Sequence, residues 1–135
     1  MPIALEIVSP DRLLLSQPVD MVVMPAAEGD MGVMPGHAPM IVLLQGGTVV
    51  LHEGGRATSK LYVSGGFAEV TAERCTVLAD EAIPTGEVSR AAAAQRLADA
   101  EAAYAAADKL DMTALDAITV RLQAARAMVA AAEAP

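Results

Sequence analysis

The chain has 135 residues, 54% of them hydrophobic, and a formal net charge of −8. That charge excludes a nucleic-acid backbone as partner, because phosphate binding needs clustered Lys and Arg, and it disfavours an anionic lipid surface for the same reason. Aromatics number only three (Tyr62, Phe67 and Tyr104), so the core must be filled by Val, Leu, Ile and Met. Few rigid anchors remain for a small-molecule pocket.

The charge is uneven. Residues 1–86 hold ten acids and four bases, and residues 87–135 hold seven acids and five bases. Cys75 is the lone cysteine, within the strand-like run Cys75-Thr76-Val77-Leu78-Ala79, and reads as a small buried hydrophobe in a reducing compartment. No apolar run is long enough to span a bilayer, so direct membrane insertion is not expected. The N-terminus enters a strand pattern at once, without a signal or transit pattern.

Residues 3–83 read as short strands broken by turns. Ile3, Leu5 and Ile7 alternate with Ala4, Glu6 and Val8. Val19, Met21 and Val23 form the next alternating set, ended by Pro25. Thr48 to Glu53 is a further strand, and Gly54-Gly55 turns the chain. Lys60 to Val63, Phe67 to Thr71 and Cys75 to Ala79 complete the series. Short, closely spaced strands predict an all-β sandwich or flattened barrel. Several are apolar on both faces, as expected for a thin domain with tightly packed sheets.

Pro84-Thr85-Gly86 breaks the pattern and places a boundary between a β-domain (1–86) and a C-terminal unit (87–135). The hydrophobic period then becomes helical. Ala93, Leu97, Ala100, Tyr104 and Ala107 form one stripe, and Leu115, Ile118, Leu122, Ala125 and Val129 a second. Asp108 to Met112 links them, with Thr113 as expected cap of the second helix and Asp116 completing a capping box. Helices so connected run antiparallel as an α-helical hairpin. Only Leu97 and Tyr104 are large on the first stripe. At about 1.5–3 kcal/mol per large buried side chain, they offset little of the ~1–2 kcal/mol per residue of backbone ordering. The seam between the helices is therefore expected to be weak.

Chemical motifs are sparse. His37 and His52 lack the spacing and partners of a zinc site, so no metal is expected. Ser64-Gly65-Gly66 lacks the Gly-Lys-Ser/Thr of a phosphate loop and reads as a turn. Glu28 and Asp30 form a carboxylate pair, but in a glycine-rich turn with no apolar pocket to raise a pKa. No catalytic residue and no cofactor follow from these features.

The informative segment is Glu28-Gly29-Asp30-Met31-Gly32-Val33-Met34-Pro35-Gly36-His37-Ala38-Pro39. Its two prolines among glycines read as a fixed, irregular loop between apolar strands, suited to presenting Asp30 and His37 to a partner. This segment resembles the Glu-Gly-x-x-Gly-x-x-Pro-Gly-His-x-Pro signature of the epsilon subunit of F-type ATP synthases. Ser64-Gly65-Gly66-Phe67-Ala68-Glu69-Val70 and Thr76-Val77-Leu78-Ala79-Asp80 match the same family in order and spacing.

The resemblance, which spans essentially the whole chain, implies a non-catalytic rotor subunit. Its sandwich would clasp the gamma subunit and rest on the polar loops of the c-ring, peripheral to the cytoplasmic face of a bacterial inner membrane. Carried over by position, Asp30 would face the c-ring, His37 the gamma subunit, and Glu28 would support the turn. The family's hairpin can also rise toward the catalytic alpha/beta head and block hydrolysis. In some members it binds ATP through an Ile/Leu-Asp-x-x-Arg-Ala motif together with second-helix arginines. Here that motif reads Gly86-Glu87-Val88-Ser89-Arg90-Ala91, and the helix offers Arg121 and Arg126. The first two positions depart, which speaks against nucleotide binding. The composition alone leaves two competitors open: a free-standing ligand-binding β-sandwich with a helical dimerisation arm, and a small enzyme.

Overall fold

The computed structural model describes residues 2–134. Ten strands come first: β1 (Ile3–Val8), β2 (Leu13–Val19), β3 (Met21–Ala26), β4 (Gly29–Val33), β5 (Met40–Leu44), β6 (Gly47–Glu53), β7 (Arg56–Val63), β8 (Gly66–Val70), β9 (Arg74–Ala79) and β10 (Ala82–Pro84). A 3-10 turn at Thr85–Glu87 leads to helices α1 (Arg90–Ala106) and α2 (Met112–Glu133). The strands form one continuous sheet, ordered β10-β7-β6-β3-β5-β8-β9-β1-β2, with β4 on β3. All pairings are antiparallel except β1 with β9. The sheet folds over into a nearly closed sandwich, and Gln17 of β2 reaches Glu53 of β6 at 3.1 Å.

The core follows the period-two pattern. Ile3, Leu5 and Ile7 face inward against Val42, Leu44, Val49, Leu51, Val70 and Val77, all nearly inaccessible. Cys75 is fully buried, its sulfur 3.9 Å from that of Met24, and burial pushes the thiol pKa up to about 11. Such a thiol stays protonated and unreactive.

The phase of the second alternating set is corrected. Val19 ends β2 and Met21 begins β3, so the bend at Asp20 resets the alternation. Val22 and Met24 face the core in place of Met21 and Val23. Pro25 lies within β3 instead of ending it. Its carbonyl accepts from Gln45 N–H, so its ring nitrogen points to the same side. There the pairing with β6 stops at Val23 and that with β5 starts only at Ala26, so no ladder bond is lost. The segment expected to be one irregular loop is half strand: β4 runs through Asp30, Met31 and Gly32.

The hairpin is antiparallel and packs over β6 and β7. Ser89 caps α1 through its Oγ. Asp111, not Thr113, caps α2 by accepting Ala114 N–H at 3.2 Å. Thr113 instead lies within the first turn, so the expected capping box is not formed. Tyr104 is half-exposed and leaves the seam. Lys109 sits 4.4 Å from its ring centroid and donates to the Tyr104 and Ala107 carbonyls, closing the last turn of α1. Val129 is only partly buried, and Met128 occupies the seam with Ala93, Ala131 and Ala132. The rest of the seam is Ala100, Leu122 and Ala125, with Leu97 partly buried.

Candidate protein-docking site

On β5, Val42 and Leu44 turn into the core, so Ile41 and Leu43 must turn out. They are 71% and 68% exposed. On β8 the partners in register are Glu69 opposite Ile41 and Phe67 opposite Leu43. Phe67 is 41% exposed. The solvent side of an antiparallel sheet is normally polar, so this contiguous apolar strip marks a contact surface. β5, which lies outside the strands named from the sequence, buries one face and presents the other. The signal was four successive apolar residues, Ile41 to Leu44, where a one-sided strand should alternate.

Beside the strip runs a groove of about 540 Å³ between the sheet and α2. Leu43 and Phe67 form one wall, Thr119 and Val120 the other, with Gly65 and Gly66 between them. A second cleft, of about 470 Å³, borders the same stretch of α2 and is lined by Tyr62, Arg96, Asp99 and Arg121 among others. Arg96 holds Glu81 in a two-pronged ion pair at 2.6 and 2.8 Å. The hydrogen-bonded guanidinium keeps the Glu81 carboxyl below its ordinary range. Burial, helped by the Glu81 charge, raises the Tyr62 phenol to about 12, so it remains a hydrogen-bond donor.

The sequence-derived residues are dispersed. Glu28 and Asp30 are exposed at the β3–β4 turn, which lies by the Leu44 end of β5. His37 is half-buried at the opposite end, where Gly36 N–H reaches Ala72 O at 2.8 Å. Its Nδ1 lies 2.8 Å from Ala38 O. The five residues of β5 separate the two ends, on the order of 15 Å at ~3.3 Å per residue. Among the nucleotide-motif positions, Glu87 and Ala91 are exposed, and Arg90 reaches Ala132 O at 3.4 Å. Arg121 lines the Tyr62 cleft, whereas Arg126 lines a different recess with Glu101 and Tyr104. Among the described residues no group of three His, Cys, Asp or Glu side chains could hold a metal, and no helix is long and apolar enough to cross a membrane.

An acidic β-sandwich with an apolar outer strip and a lightly packed helical arm defines a protein-docking module. Residues 2–85 match the family described as ATP synthase, Delta/Epsilon chain, beta-sandwich domain. The ATP synthase epsilon chain of Granulibacter bethesdensis is 68% identical over 129 residues, 96% of each chain. That of Rhodospirillum rubrum is 45% identical over 125 residues, 90% of this chain and 93% of the relative. A chain of the Euglena gracilis mitochondrial ATP synthase superposes with a TM-score of 0.78 at 26% identity, covering 96% of this chain and 81% of that one. A chain from the Tetrahymena thermophila mitochondrial ATP synthase central stalk and c-ring shares the fold, with a TM-score of 0.66 at 12% identity and coverage of 98% and 97%. This chain therefore belongs to the ATP synthase delta/epsilon family, among the epsilon chains. By that membership it is a non-catalytic subunit.

Proposed function

We propose that this chain is a central-stalk subunit that joins the gamma subunit to the c-ring and helps couple ion translocation to ATP synthesis, peripheral to the cytoplasmic face of a bacterial inner membrane. The apolar strip of Ile41, Leu43 and Phe67 is the observation that carries the reading, and it is assigned to gamma. His37 flanks the strip at the gamma side. Asp30, with Glu28 supporting its turn, lies at the other end and is assigned to the c-ring loops. Family membership supports the partners.

Leu43→Asp and Phe67→Asp place a charge where a partner must exclude water. Each is expected to lower gamma affinity at least 100-fold while leaving the far-ultraviolet circular dichroism unchanged. Co-purification of gamma at wild-type yield with both variants would overturn the assignment.

The hairpin is proposed to regulate weakly and to bind no nucleotide. Arg121 and Arg126 are five positions apart, about 140° around a helix of 3.6 residues per turn, and line separate recesses. From Thr113 onward the charges of Arg121 and Arg126 are balanced by Asp116 and Glu133. Exposed ion pairs give only about 0–1 kcal/mol each, too little to hold an inhibitory pose on the alpha/beta head. Removing residues 87–135 should change the ATPase rate of the purified complex less than about twofold, near 0.4 kcal/mol. A several-fold rise that salt diminishes would refute this.

A further inference from the structure

The ribbon of β3 and β4 carries Glu28 and Asp30, and its tip outruns its support. Pairing of β3 with β6 stops at Val23, and β5 meets β3 only at Ala26. Past Val23 the ribbon is a pair of strands, an arrangement that is marginal by itself. Glu28 and Asp30 are exposed and form no ion pair among the described residues, so the backbone beneath them must fix where they point. Three hydrogen bonds tie that backbone to the end of β5. Ala27 N–H donates to Leu43 O at 2.9 Å, Gln45 N–H to Pro25 O at 2.9 Å, and Gln45 Nε2 to Ala26 O at 3.1 Å. Gln45 supplies two of the three, and its amide is the one side chain among them.

Gln45 stands on a rigid base. It is half-buried in the connector between β5 and β6. The next residue, Gly46, is buried. Its N–H donates to Gln123 Oε1 at 2.8 Å, and Gln123 Nε2 donates back to Gly46 O at 2.6 Å. Ala124 O, one position on, accepts from Tyr62 OH at 3.0 Å, so that stretch of α2 is fixed as well. A Cβ on Gly47 would stand 2.5 Å from Pro25 Cβ, so the connector also packs closely on β3. From this base the Gln45 side chain is a short strut to the last β3 carbonyl before the turn residues Ala27 and Glu28. We propose that Gln45 is a positioning residue: acting through the Ala26 peptide, its amide sets the direction in which Asp30 is presented to the c-ring loops. The inference rests on the assignment of the acidic turn to the c-ring. Charge-assisted hydrogen bonds are short, about 2.7–2.9 Å from a cationic nitrogen, so a turn that swings makes them only part of the time.

The test titrates the complex of this full-length chain with gamma onto immobilised, detergent-solubilised c-ring. Gln45→Met keeps the length of the side chain and the backbone N–H but removes the amide donor. Gln45→Glu keeps size and polarity and, ionised, cannot donate either. Both should raise Kd about three- to tenfold, the range that one hydrogen bond spans, and speed amide exchange at Ala27. The decisive reading is the cycle with Asp30→Ala. On that background the effect of Gln45→Met should shrink below about twofold, because a positioning residue acts only through the group that it positions. An undiminished effect there would make Gln45 a merely structural residue and overturn the proposal. Wild-type affinity for Gln45→Met or Gln45→Glu, with Asp30→Ala binding weakly, would also overturn it and leave the turn assigned to the c-ring. Wild-type affinity for Asp30→Ala would remove the assignment and the proposal together.

Discussion

Gly66→Ala is expected to destabilise the sandwich by about 3 kcal/mol or more, a large part of the ~5–15 kcal/mol that such domains possess. Gly66 opens β8 with φ +125°, a region that L side chains rarely adopt. Its added Cβ would stand 2.1 Å from Leu78 O and 3.0 Å from Ala79 Cα. Both atoms are backbone of β9, which is itself paired on its other edge with β1, so nothing can swing aside. Backbone strain alone costs on the order of 1–3 kcal/mol, and the clash adds to it. Gly29→Ala serves as the control, because at φ +134° it is strained with open space around it. Urea denaturation should show the Gly66 variant losing clearly more than the Gly29 variant. A loss under about 1 kcal/mol at Gly66 would mean that β8 and β9 separate more easily than their pairing implies.

Tyr62→Ala is expected to free the hairpin while the sandwich stays folded. Tyr62 is 1% exposed and is the largest fully buried side chain, yet it belongs to β7's outer face. Its neighbours Leu61 and Val63 point into the sandwich core, whereas Tyr62 packs beneath the helices with Val88, Ala93 and Met128. Deleting a buried aromatic typically costs ~3–5 kcal/mol. The remaining attachments are small: the Gln123 bonds at about 0.5–1.5 kcal/mol each, and the part-exposed Glu81–Arg96 pair at about 0–1 kcal/mol. Hydrogen exchange should therefore show α2 losing on the order of 100-fold protection, with β1, β8 and β9 unchanged. Tyr62→Phe removes only the bond to Ala124 O and should cost roughly fivefold. Equal loss of protection in sandwich and hairpin would show that the two units open together.

The contrast between these variants reflects two cores of different quality. The sandwich core joins Ile3, Leu5 and Ile7 to large aliphatic residues from most of the other strands. The hairpin core is mainly alanine around Tyr62, Leu122 and Met128. Small side chains bring the helices close but bury little area, so the arm is stable as helix and loosely held as a unit.

Local chemistry determined much of this fold directly from the sequence. The alternation of Ile3, Leu5 and Ile7, the Gly54-Gly55 turn between β6 and β7, and the change of period after Pro84 are short-range signals, and the structure follows them. The signature around His37 was legible as a family resemblance because its residue types and spacing are unusual. Tertiary structure alone decided the rest. The alternation could not be phased across Asp20, because one residue of bend transfers every following side chain to the other face. Tyr104 and Met128 could not be ranked as seam residues from spacing, because a helical stripe is wide enough to admit either neighbour. Asp30 and His37 are seven positions apart in sequence, and only the pairing of β4 with β3 sets them at opposite ends of the sheet. The outer strip on β5 is the deepest case. Ile41 and Leu43 carry the same residue types as Val42 and Leu44, and a strand apolar on both faces reads identically whether its second face meets its own domain or another protein. Which face is left open depends on where the sheet closes and where α2 comes to rest, and both are set by contacts between residues far apart in the chain.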